Sequence, residues 1–193
     1  MEKFGKIRIE ENNPLTQVEI NAIKNLKSVY FCNDYNQPID GDILEGVDEI
    51  IISFGFFNQP LDNLPKSLKS LTIYSHKFNH SLDNLPENLE YLIMAGKYNK
   101  PLDFLPSNLK ELQLLGMYNF NQPLDNLPSN LEKLIISAPY KHSLDNLPDS
   151  LSYFNYSGFK KLTMKRVPQN LKKIKVNLGC GKIELDNVIV EYY

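Results

Sequence analysis

One phrase recurs along this chain at an almost fixed interval, and a period of about 20 residues leaves room for one supersecondary unit per copy. FNQPLDNLPKSLKSLTI begins at Phe57, FNHSLDNLPENLEYLIM at Phe78 and YNKPLDFLPSNLKELQL at Tyr98. FNQPLDNLPSNLEKLII begins at Phe120 and YKHSLDNLPDSLSYFNY at Tyr140. Their prolines fall at 65, 86, 106, 128 and 148, with Pro168 continuing the series, in steps of 21, 20, 22, 20 and 20 residues. A looser copy, YNQPIDGDILEGVDEIII, starts at Tyr35 with one extra residue. The half-phrase L-x-x-L-x-L alone gives nine segments, beginning at 4, 26, 47, 68, 89, 109, 131, 151 and 171. A tenth, Leu185, Val188 and Val190, arrives early.

Strand geometry turns this spacing into a fold. The last two apolar residues of L-x-x-L-x-L are two apart, so they share one face of an extended strand. A strand this short cannot bury that face alone, but copies stacked side by side at ~4.8 Å can. The return half, from the aromatic to the proline, is too short for a full helix, and its proline and Asp-Asn pairs favour turns. The sequence therefore predicts an all-β or mainly β, leucine-rich-repeat-like solenoid of about nine repeats of 20–22 residues, with a parallel sheet on one face. Thr16-Gln17-Val18-Glu19 is a capping box and predicts a short N-terminal helix over residues 17–24. The division that follows is a capping repeat with this helix over 1–34, repeats over 35–178 and a C-terminal cap over 179–193. The turn between strand end and aromatic holds four residues before Phe78, three before Tyr98 and five before Phe120, as expected of an exposed rim.

With its aromatic-Asn start and Leu-Asp-x-Leu-Pro middle, the phrase FNQPLDNLP resembles the FNIP repeat, a short leucine-rich-repeat variant typical of social amoebae and giant DNA viruses. The good copies run from Phe57 to Tyr156, about half of the chain. The resemblance implies protein binding and supplies no catalytic residues. Some relatives carry an F-box ahead of the repeats; this chain enters its first repeat at Phe4, which leaves no room for one.

Composition narrows the function classes. No run approaches the ~18 apolar residues of a membrane span, and the N-terminal residues lack a signal-peptide core, so the expected location is cytoplasmic, in the host cell if the protein is viral. Cys32 and Cys180 are too few for a disulfide framework and, seven strand spacings apart at ~33 Å, too distant to pair. No nucleophile, metal or phosphate motif is present. His80 and His142 share a repeat position three turns apart, roughly 14 Å, so they form no relay. We expect no enzyme activity, cofactor or metal.

Residues that recur once per turn read as structure. Phe57, Phe78, Tyr98, Phe120 and Tyr140 predict a buried aromatic spine, and Asn36, Asn58, Asn79, Asn99 and Asn121 an asparagine ladder. Asp40, Asp62, Asp83, Asp103, Asp125 and Asp145 are expected to accept backbone N–H bonds in their own turns. Function is expected instead where the copies differ. The outward sheet positions are charged at both ends of the array, but Ile51, Tyr74, Tyr91, Ile93, Leu115, Ile135 and Tyr153 place apolar surface in the middle. Apolar area rimmed by charge marks an interaction site, here for a protein partner or a second copy in a homodimer. The alternative is nucleic-acid or polyanion binding. Net charge is only −2, yet residues 160–182 hold Lys160, Lys161, Lys165, Arg166, Lys172, Lys173, Lys175 and Lys182 and no acid. Lys172, Lys173 and Lys175 are the polyanion contacts that reading would use.

Overall fold

The computed structural model describes residues 5–32, 34–158, 164–181, 183 and 185–193. One parallel sheet runs through it, its strands following each other in chain order: β1 (Lys6–Ile9), β2 (Ser28–Phe31), β3 (Glu49–Gly55), β4 (Ser70–Ser75), β5 (Tyr91–Gly96), β6 (Glu111–Leu115), β7 (Lys133–Ser137), β8 (Tyr153–Tyr156), β9 (Lys173–Val176) and β10 (Ile189–Tyr192). Such strict order is what a solenoid requires, since each repeat pairs only with its neighbours. Leu71 lies opposite Leu92, Leu92 opposite Leu112 and Leu112 opposite Leu134, so the second apolar residue of every phrase forms one continuous row. That row and the next one in, Ile73, Met94, Leu114 and Ile136, are buried, and a single core runs from end to end. The expected strand register is the observed one through β9.

The tenth segment departs from expectation. Val190, not Val188, lies opposite Ile174, and Tyr192 lies opposite Val176. The register has moved by two residues. Only 16 positions separate Ile174 from Val190 (190 − 174), against 20 between Phe154 and Ile174 (174 − 154). The displacement is even, so side-chain parity survives. Phe4, the first apolar position of the first segment, lies outside the described residues, as do Lys160, Lys161 and Lys182.

Each return closes at its proline. Pro65, Pro86, Pro106, Pro128, Pro148 and Pro168 accept at their carbonyls from the N–H of the leucine three residues on, at 3.0–3.1 Å. This turn aims the chain into the next strand. The predicted helix is present as α1 (Gln17–Ile23), with both halves of the capping box formed. The Thr16 hydroxyl and backbone N–H hold Glu19 below the usual carboxylate range. Ile23 is the buried anchor of this cap.

The two sides of the array are spaced differently. Strands stack at ~4.8 Å, whereas the return-side rings lie 6.1 Å apart for Phe57 and Phe78 and 6.0 Å for Phe78 and Tyr98.

Candidate functional site

The return side is held by side chains, one ladder per position of the phrase. The aromatic spine is buried, with Phe57, Phe78, Tyr98, Phe120 and Tyr140 all at 4% exposure or less. Burial pushes the Tyr35 hydroxyl up to about 12 and moves those of Tyr98 and Tyr140 well above the usual tyrosine range. In the asparagine ladder, Asn36, Asn79 and Asn99 accept from the backbone N–H of Asn58, Asn99 and Asn121 at 2.7–2.8 Å, and Asn12 extends the series to Asn36. The next position adds Gln59 and Gln122, which donate to the carbonyls of Asn36 and Asn99. His80 and His142 replace those glutamines, each placing Nε2 3.0 Å from the carbonyl of Asn58 and Asn121. A carbonyl only accepts, so Nε2 carries the proton. These histidines are rungs of a ladder.

The aspartate row needs a correction. Only Asp40 bonds its own turn as expected, accepting from the Asp42 N–H. Asp62, Asp103 and Asp125 accept instead from the side-chain amides of Asn84, Asn126 and Asn146 in the following repeat, each at 3.0 Å. Asp40 also receives Asn63. The bond couples repeats rather than closing a turn, because the amide of one copy stands over the carboxylate of the copy before it. Phe104 occupies the amide position in its repeat and is exposed instead. Among the described residues no group of three or more His, Cys, Asp or Glu is arranged to hold a metal ion.

The sheet face carries the residues in which the copies differ. Ile51, Thr72, Ile93, Gln113 and Ile135 form one outward row in register. Ile51, Ile93 and Ile135 are half-buried by their neighbours, as are Tyr74, Leu115 and Tyr153, and Tyr91 is 41% exposed. Thr72, between Ile51 and Ile93, is only 8% exposed, and Ser28 is buried opposite Glu49, to which its hydroxyl donates. Short side chains on an outward row disappear between longer ones. Ser53 is buried for a different reason: a bulge between Ile52 and Gly55 turns it so that its hydroxyl donates to the Phe31 carbonyl. Lys133, between Glu111 and Tyr153 in the tyrosine row, is occupied: it lies over the Tyr153 ring and pairs with Glu111 at 2.9 Å.

The FNIP repeat family matches residues 57–97, 78–116 and 98–138 in overlapping copies. Residues 57–138 therefore match the FNIP repeat model. Among solved structures it is similar to CroV588, described as a novel circular LRR protein, at 23% identity and a TM-score of 0.56. That likeness covers 88% of this chain and 34% of the other, so this chain spans about a third of that structure's length. It establishes the fold. A search among curated proteins gives no match.

The basic stretch at the end of the repeat array is less free than its sequence suggests. β10 brings Glu191 to 2.7 Å from Lys173 and 3.4 Å from Lys175, and the Lys173 contact holds that carboxylate below its usual range. Arg166 pairs with Asp149. Of Lys172, Lys173 and Lys175, only Lys172 has no carboxylate within ion-pair distance among the described residues.

Sequence reasoning identified the rim at the carboxyl ends of the strands as exposed but named no site residue on it. Tyr118 stands 72% exposed there, in the longest strand-to-aromatic turn of the five good copies. Hollows of ≈ 370 and ≈ 280 Å³ flank it, both sharing Leu115 and Gly116. The extra residues in that turn were the available signal. The opposite rim, at the amino ends, is charge-balanced: Lys27, Asp48, Lys69, Glu90, Lys110 and Glu132 alternate in sign along it. Lys110 meets Glu90 at 2.7 Å and Lys27 meets Asp48 at 3.7 Å.

Proposed function

We propose that the chain is a non-catalytic scaffold that binds a protein partner through the exposed face of its repeat sheet. The observation that carries this reading is the in-register row Ile51, Ile93 and Ile135 beside Tyr91 and Tyr153, apolar surface on the outward face of the sheet. Aromatic and aliphatic anchors of this kind dominate interface energies. A second copy of the chain is the other occupant this face would accept. The fold agrees with a scaffold role, since FNIP and other leucine-rich arrays place their regularity in structure and leave the sheet surface to recognition. Cys32 and Cys180 are both free and buried, in keeping with a reducing compartment, and the reading places the scaffold in the cytoplasm. The polyanion alternative draws less support, because Glu191 occupies two of its three lysines.

The test is a variant with Tyr91→Ser, Ile93→Ser and Ile135→Ser, compared with the parent by sedimentation and by pull-down from host lysate. Loss of the partner or of self-association with an unchanged melting temperature supports the reading. Retention of every partner and of the oligomeric state removes the sheet face as the binding site.

A further inference from the structure

Across the turns of the five good copies the rim at the carboxyl ends of the strands is cationic; the looser copy before them carries Asp34, and the next acids, Asp62, Asp83, Asp103, Asp125 and Asp145, stand two residues beyond the turns. Residues 53–60, 74–81, 95–101, 115–123 and 137–143 contain Lys77, Lys97, Lys100 and Lys141 and not one Asp or Glu. All four lysines are exposed, and none has a carboxylate within ion-pair distance among the described residues. The amino-end rim of the same repeats alternates in sign, so segregation of charge to one rim is a property of these turns and not of the composition. Beside the lysines stands Tyr118, between two hollows whose walls are Ala95, Gly96 and Leu115 on one side and Ala138, Pro139 and Gly158 on the other. The glycines and alanines leave room there. Gly96 sits at φ +129 with its backbone against the Ser75 carbonyl, a conformation that keeps a side chain out of the hollow.

From these two features we infer that this rim is a second binding surface, distinct from the sheet face, and that its ligand is an extended acidic peptide segment of a protein partner carrying one apolar side chain. The apolar side chain enters a hollow beside Tyr118, and flanking carboxylates meet Lys77, Lys97 and Lys141. The scale fits: three repeat steps from Lys77 to Lys141 cover about 15 Å, which an extended peptide spans in about five residues. Nucleic acid fits less well. The rim segments contain no arginine, the residue that grips phosphate in a fork. Complementary charge governs the rate of encounter and makes it salt-dependent, and the aromatic contact supplies the anchor.

The experiment pans phage-displayed heptapeptides on the immobilised chain and measures the selected peptides, fluorescein-labelled, by anisotropy. The expected result is enrichment of Asp and Glu around a single Leu, Phe, Tyr or Trp. Binding should weaken at least about tenfold in the Lys77→Glu, Lys97→Glu, Lys141→Glu variant and in Tyr118→Ala. Where charge reversal impairs folding, the Lys→Gln triple variant and a salt titration give the same reading. The sheet variant Tyr91→Ser, Ile93→Ser, Ile135→Ser should hold the peptide like the parent, so failure of this inference and failure of the sheet-face proposal are separately visible. The inference is overturned by no enrichment, by selected peptides lacking acids, by undiminished binding to the lysine variants, or by an oligothymidine that binds more tightly and displaces the peptide.

Discussion

The sheet side and the return side of this array solve the same stacking problem with different chemistry. Across the sheet, backbone N–H and carbonyl groups pair strand to strand, so any outward side chain is acceptable and the copies differ freely there: Glu49, Ser70, Tyr91, Glu111, Lys133 and Tyr153 share one row. On the return no such continuous backbone ladder runs among the described residues. Aromatic rings, asparagines, glutamine or histidine, and aspartate–asparagine pairs must join one repeat to the next, and the phrase is therefore almost constant among copies. Constancy marks what holds the array up, and variation marks what is free to bind.

The first way to break this comparison is in the sheet itself. Leu112 is fully buried and Gln113 faces outward. Leu112→Ala is expected to cost ~2–5 kcal/mol, against ~0.5 kcal/mol or less for Gln113→Ala. Thermal melts of the two variants check it; equal shifts would mean the strand faces are reversed.

A smaller effect is expected where the sheet passes into the rim. A Cβ at Gly96 would stand 1.9 Å from the Ser75 carbonyl oxygen, at φ +129. Gly96→Ala should destabilise by ~1–3 kcal/mol, whereas Gly116→Ala meets no neighbouring atom and suffers only its positive φ. Denaturant midpoints that rank these two the other way would contradict the close approach of neighbouring turns.

On the return side, Asn99 accepts from the Asn121 N–H, and its carbonyl receives Gln122. Asn99→Ala orphans a backbone donor and should cost ~1 kcal/mol or more. Breaking the exposed Lys110–Glu90 pair on the amino-end rim should cost ~0.5 kcal/mol or less. If the ion pair mattered more than the asparagine, side-chain ladders would not be what joins the returns.

The smallest effect at neutral pH grows in alkali. Tyr35, Tyr98 and Tyr140 have raised hydroxyls because they are buried. Their unfolded forms ionise near pH 10 while the folded forms keep the proton, so their contribution is complete below about pH 10 and is lost as pH rises toward and beyond the folded values. Melting temperature should fall across that interval, and less steeply when Tyr98 and Tyr140 are changed to Phe, the residue that other copies use at the same position.

Much of this fold was legible because its signal is local and repeated. The strand register through β9, the capping box at Thr16, the aromatic spine and the asparagine ladder all follow from residue type at a fixed step. What escaped depends on contacts between copies or on length. The pairing of Asp62 with Asn84 joins residues 22 apart, and turn chemistry within one copy cannot reveal it. Glu191 reaches Lys173 only because the last return is short and β10 pairs two residues further along than the phrase suggests. Thr72 and Ser28 face outward yet are covered, since exposure depends on the length of neighbours as well as on parity. The candidate sheet patch was legible as a row; the carboxyl-end rim was legible only as exposed turns, because its charge pattern emerges only when the turns of five copies are added together.

The most direct test of the account sets one side against the other in a single comparison. A ladder variant, Asn79→Ala with Asn99→Ala, and the sheet variant, Tyr91→Ser with Ile93→Ser and Ile135→Ser, are each measured for melting temperature and for retention of the partner or of self-association. The account predicts that the ladder variant melts lower and still associates below its melting point, while the sheet variant melts like the parent and no longer associates. A sheet variant that associates fully, or a ladder variant that melts unchanged, would contradict the division of the array into a side that holds and a side that binds.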